Sequence, residues 1–217
     1  MTQSQRQING GAWTRVRRWA AVWGVLIVLP WRTTEVWAQT TIDECLSKIP
    51  TPAWADAASQ AFDRAFDSAN DGDSFACQGD MRASTVRRAI DQFRAAVLYH
   101  DEKALRDVLG FPLRLNRKDP NDSTRVLWVT IKTPSEWWAA QKRYFTARHI
   151  AVVSCANLHT VNVVYGRGGY GVMQGYGFIW WQRTSGSPDV KVEVINIDDM
   201  TDRNVISACM PPTSVPK

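Results

Sequence analysis

The stretch STVRRAIDQFRAAVLYHDEKALRDVLGFPLRL, residues 84–115, decides the fold class. Val86, Ile90, Phe93 and Val97 recur at helical spacing and form one apolar stripe, with Ser84 placed to cap the helix. Asp101 then caps a short helix carrying Ala104, Leu105, Val108 and Leu109, which Gly110 is expected to end in a left-handed conformation. From Phe111 the period drops to two. Phe111-Pro112-Leu113-Arg114-Leu115 reads as a strand whose proline sits near its start, where a missing N–H does least harm.

Downstream, Lys118 to Asp122 has turn chemistry and Val126 to Ile131 makes a second strand. Thr133-Pro134-Ser135-Glu136 is a capping box with proline at the first helical position, and Trp137, Trp138, Ala140, Tyr144 and Phe145 follow it. Arg148 to Cys155 fits helix or strand. Three β-rich runs come last, Val161 to Tyr165, Val172 to Trp181 and Val190 to Ile197. Upstream, Thr51-Pro52 is expected to open a helix in which Trp54, Ala58, Phe62 and Phe66 recur every four residues. It ends in Asn70-Asp71-Gly72-Asp73, which resembles a calcium loop begun at Asp67. Ala69 and Gln78 stand where oxygen ligands are needed, so a solvated turn is the reading. Helices first and antiparallel strands afterwards make an α+β domain.

Residues 1–38 read as a secretory signal peptide: Arg15, Arg17 and Arg18 precede an apolar run from Trp19 to Trp31, and Val36-Trp37-Ala38 offers a cleavage site before Gln39. A membrane anchor competes, but the run contains Pro30, is closed by Arg18 and Arg32, and falls short of the roughly 20 residues of a spanning helix. Arg17-Arg18 resembles a twin-arginine pair, but its flanking residues favour general secretion. The 217-residue chain carries a net charge of +5. Removing residues 1–38 takes five of its 26 basic residues and one of its 21 acids, leaving +1. Basicity therefore belongs to the targeting segment, and nucleic acid is excluded as a partner. The expected organisation is signal peptide 1–38, N-terminal helical extension 39–83, main domain 84–210 and tail 211–217. All four cysteines lie in the mature part, so two disulfides are expected in an oxidising compartment. Three connectivities are possible, of which Cys45 with Cys77 and Cys155 with Cys209 is favoured. A zinc site has no Cys-x-x-Cys or paired histidines to build on, and no metal or cofactor is expected.

The helical pair FRAAVLYHDEKALRDVL followed by FPLRL, then the helix PSEWWAAQKRYF, the late strand GVMQGYGFIWW and the last strand VKVEVINI resemble exported bacterial proteins of the nuclear transport factor 2-like (cystatin-like α+β) superfamily. The resemblance covers roughly residues 84–198. It implies helices packed on a curved antiparallel sheet that forms a cone-like cavity, and such domains serve as enzymes, binding modules and dimerisation scaffolds.

Gly166-Arg167-Gly168-Gly169-Tyr170-Gly171 spells a dinucleotide fingerprint, but strand rather than helix follows it, so a hairpin loop is the reading. His100 suits a helix C-terminus. Ser154 lacks a nucleophile's context. Asp198, Asp199 and Asp202 cluster after the last strand without a second acidic group to complete a site. Aromatic density is the stronger signal. Of Trp137, Trp138, Tyr144, Phe145, Tyr176, Phe178, Trp180 and Trp181, most are expected to be ordinary core and some to face a shared cavity, and Trp180 and Trp181 must point to opposite faces of their strand. Two functions are expected. One is a non-catalytic periplasmic or secreted binding protein, for instance an inhibitor or immunity protein against a periplasmic enzyme. Trp137, Trp138, Tyr144, Trp180 and Trp181 would meet a protein partner or a small apolar ligand; a homodimer through the sheet is a further arrangement, and no membrane is involved after cleavage. The alternative is a small cavity isomerase or hydrolase whose general base would be Asp91, Tyr99 or His159.

Overall fold

The computed structural model describes residues 42–69, 74–166, 169–175, 177–197 and 200–209. The signal peptide expected over 1–38, the turn expected at 70–73, Arg167-Gly168, Tyr176, Asp198-Asp199 and the expected tail 211–217 lie outside them. Along the chain run α1 (42–48), α2 (Ala57–Ala69), α3 (Ala83–Tyr99), α4 (Glu102–Val108), β1 (Leu109–Asp119) and β2 (Asp122–Ile131). Then come α5 (Pro134–Tyr144), α6 (Ala147–Cys155), a 3-10 turn, β3 (Val161–Gly166), β4 (Gly169–Gln174), β5 (Ile179–Arg183), β6 (Val190–Ile197) and α7 (Asp202–Cys209).

The fold is α+β, with one six-stranded sheet in the order β2-β1-β6-β5-β4-β3. The sheet is mixed rather than antiparallel: β1 pairs β6 in parallel, and the other four pairings are antiparallel. Residues 120–189 lie between β1 and β6, a crossover long enough for the parallel pairing, which local patterning leaves undetermined. The run Val172 to Trp181 is two strands. Gly175 at φ 59° and Gly177 at φ 92° break it, and a Cβ on Gly175 would come within 2.9 Å of Val152 Cγ1. The glycine-rich segment joins β3 to β4 as a hairpin, with Gly166 paired to Gly169.

Three helix boundaries differ from expectation. Thr51-Pro52 precedes a loop, and α2 starts only after Asp56, whose Oδ1 accepts from the Ser59 N–H at 2.8 Å. Thr51 is engaged elsewhere, accepting from the Arg82 guanidinium at 3.0 Å. Ala58 is exposed, and the buried face of α2 carries Asp63 and Asp67 beside the half-buried Phe62 and Phe66. Ser84 lies inside α3, whose first turn has no cap of its own; its backbone N–H donates instead to Asp63 Oδ1 at 2.7 Å. Gly110 belongs to β1, because α4 passes straight into the strand through an extended Leu109. The left-handed residue is His100, at the end of α3. The Asp101 and Thr133 caps form as read, Asp101 accepting from the Ala104 N–H and Thr133 from that of Glu136, but the box does not close on Thr133: the Glu136 carboxylate accepts from the Lys132 N–H instead. Arg148 to Cys155 is helical, within α6.

Both disulfides pair as favoured, Cys45 with Cys77 and Cys155 with Cys209. The first staples a small apolar cluster of Ile42, Leu46, Ile49 and Ala76. The main core lies between the helices and one sheet face, where Leu113, Leu115, Ile179, Trp181, Val192 and Ile195 are buried. Among the described residues no helix is long and apolar enough to cross a membrane.

Candidate functional site

Period-two alternation sends every second strand residue away from the helices, and register lines those side chains up across the whole sheet. One row runs Thr130, Arg114, Val194, Trp180, Met173, Asn162 from β2 to β3. Beside it, Trp128, Asn116 and Asn196 form a second row. This face carries Trp128, 68% exposed, and Val126, 51% exposed, where the opposite face is core.

A groove of about 900 Å³ opens on the same face. Phe111 and Pro112 stand at one end, and Arg114, Asn116, Trp180, Gln182, Lys191, Glu193 and Asn196 line it. A Cβ on Gly171 would lie 2.6 Å from Cζ2 and 2.7 Å from Cε2 of Trp180, and 2.7 Å from the Trp181 carbonyl. Only glycine therefore lets the indole lie against β4. Asn116 Nδ2 donates to Asn196 Oδ1 at 2.8 Å, and Asn196 Nδ2 donates to the Gly177 carbonyl. Glu193 is part shielded: burial pushes its carboxyl above the ordinary value, and the Arg114 guanidinium pulls it partly back.

The expected tryptophans separate into two environments. Trp180 faces the groove and Trp181 the core, on opposite sides of β5 as alternation demands. Trp137 and Trp181 are fully buried, each edge-on to Phe93 with ring centroids 5.9 and 5.5 Å away. Phe145 packs on Trp137 and Phe178, so aromatic rings occupy the interior toward which the cone would open. Trp138 is half-buried with the His100 ring at 4.9 Å, and Tyr144 lies under the guanidinium groups of Arg117 and Arg143. None of these four helical-side rings reaches the groove.

The three proposed bases are scattered and exposed. Asp91 pairs with Arg94 at 3.0 Å, Tyr99 is 76% exposed, and His159 sits on the surface with its ring 5.5 Å from that of Phe66. Ser154 donates to the Ile150 carbonyl within its own helix, and Asp202 pairs with Arg148 at 2.9 Å. Among the described residues no three His, Cys, Asp or Glu side chains gather as a metal site requires. The residues that sequence reasoning passed over are Trp128, Arg114, Asn116, Glu193 and Asn196. The alternation of Val126-Leu127-Trp128-Val129-Thr130-Ile131 was the available signal, since Leu127, Val129 and Ile131 claim the core side. No known family, curated protein or solved structure matches the chain.

Proposed function

We propose that the mature chain is a non-catalytic exported binding protein whose working surface is the face of the sheet that no helix among the described residues covers. The observation that carries this is Trp128, two-thirds exposed in register with the groove that Trp180 lines. A large exposed aromatic costs solubility unless a partner covers it, and aromatic anchors dominate binding energies. Two disulfides support a periplasmic or secreted location, where thiols stay oxidised. The nuclear transport factor 2-like resemblance is part of this reading, in which α3 and α4 lead into β1 and β2 and α5 precedes the later strands. The cavity-enzyme alternative has lost its named bases, Asp91, Tyr99 and His159, to the surface.

The test is capture from periplasmic and secreted extracts by the disulfide-bonded chain from Gln39 to Lys217, alongside its Trp128→Gln/Trp180→Ala variant. A bound species lost with the double substitution is the expected result. A stoichiometric enzyme among the captured species would mark the inhibitor or immunity version. Capture that persists unchanged in the variant would place the binding surface elsewhere.

A further inference from the structure

Resting on the open face as the binding surface, we infer that the groove over Trp180 is a subsite for a short oligosaccharide. Sugars present two chemistries at once: a patch of C–H bonds on the ring face, and vicinal hydroxyls around the rim. The groove offers a counterpart to each. The indole lies close to β4 at Gly171, where a Cβ would meet it at 2.6 Å, and it lines the groove. A flat, half-buried aromatic held in place this way is a stacking platform that pays little conformational entropy on binding.

Around it stand planar polar groups. The Asn116 and Asn196 amides are locked to each other at 2.8 Å, and Arg114 and Glu193 rise from neighbouring strands. Amide, guanidinium and carboxylate groups each offer two polar atoms at a spacing that meets adjacent hydroxyls. Charge narrows the class. Arg114 and Lys191 against Glu193 leave a single net positive charge, too little for a polyanion. An apolar ligand would bury all three charged groups without satisfying them. A volume of about 900 Å³, open to solvent, lies at the upper end of small-ligand sites and suits several linked units rather than one.

Mature protein applied to an array of defined glycans, with hits titrated as free tetrasaccharides by calorimetry and Trp fluorescence, tests this. The expected result is a saturable hit whose affinity drops about tenfold or more in Trp180→Ala. It should drop less in Trp180→Phe and drop in Asn116→Ala. Variant folding is checked by thermal unfolding, and the phenylalanine variant keeps an apolar ring over Gly171. No hit on the array, or a hit indifferent to Trp180 and Asn116, overturns the inference. If no glycan binds but protein capture still depends on Trp128 and Trp180, the open-face reading survives alone. If a second copy covers the face, seen as a dimer by light scattering that the Trp128→Gln/Trp180→Ala variant dissolves, the oligosaccharide assignment is wrong.

Discussion

Asp63 does two jobs with one carboxylate. Oδ1 accepts the Ser84 N–H and supplies the cap that α3 lacks, while Oδ2 lies 3.5 Å from the Arg82 guanidinium, both side chains being buried. Arg82 in turn donates to the carbonyls of Leu46 and Ile49, so this pair rivets the N-terminal helices to the main domain. Asp63→Ala leaves the arginine buried without its counter-charge and should cost about 3 kcal/mol, read as a shift in the urea midpoint at unchanged slope. A cost within 0.5 kcal/mol, about that of an ordinary surface change, would refute the rivet. Tryptophans give a second contrast at this scale. Trp137→Ala removes a fully buried ring and should cost about 3 to 5 kcal/mol. Trp128→Gln should stay within about 0.5 kcal/mol of the parent in the same assay. Equal costs would mean that Trp128 is packed after all.

Between elements, Asp67 ties α2 to the segment after it, accepting from the N–H groups of Phe75 at 2.9 Å and Ala76 at 3.0 Å. Burial raises its carboxyl above the ordinary value, and those two hydrogen bonds only partly offset the shift. A carboxyl raised in the folded state favours folding most when protonated. Its contribution is therefore fully present below the unfolded value of about 3.9 and is lost as pH rises through the folded value. Relative to Asp67→Asn, which does not titrate, the parent should lose stability as pH climbs from about 4 toward neutrality. Chemical unfolding of both proteins across that range measures the difference, and a parent that gains on the variant with rising pH would reverse the sign. The helix starts show what local sequence encodes. The Thr133 and Asp101 caps each take an N–H three residues on and could be read directly; the α3 cap comes from 21 residues away and needs a folded neighbour.

Across the whole molecule, the disulfides close loops of 32 and 54 residues, worth about 4 kcal/mol each by chain entropy. They should fail differently. Cys45→Ser/Cys77→Ser frees only the small cluster of Ile42, Leu46, Ile49 and Ala76, so hydrogen exchange should accelerate over 42–49 while the strands stay protected. Cys155→Ser/Cys209→Ser releases α7 from α6, beside the main core, and should lower the global midpoint more. Uniform loss of protection in the first variant would show that the N-terminal cluster and the sheet unfold as one unit.

By itself the sequence determined the α+β class, the helix starts marked by Asp101 and Thr133, and the opposite facing of Trp180 and Trp181. Each of these follows from periodicity and chemistry local to its element. Tertiary structure alone decided which of the three disulfide connectivities forms, the parallel joining of β1 to β6, the cap that Asp63 lends to α3, and which aromatic rings are core. It also decided that Arg114, Asn116, Trp180, Glu193 and Asn196 share one groove, because those residues come from three strands set side by side by long-range register. Periodicity says which way a side chain points along its own strand. Only packing says what stands opposite, and whether a layer covers it.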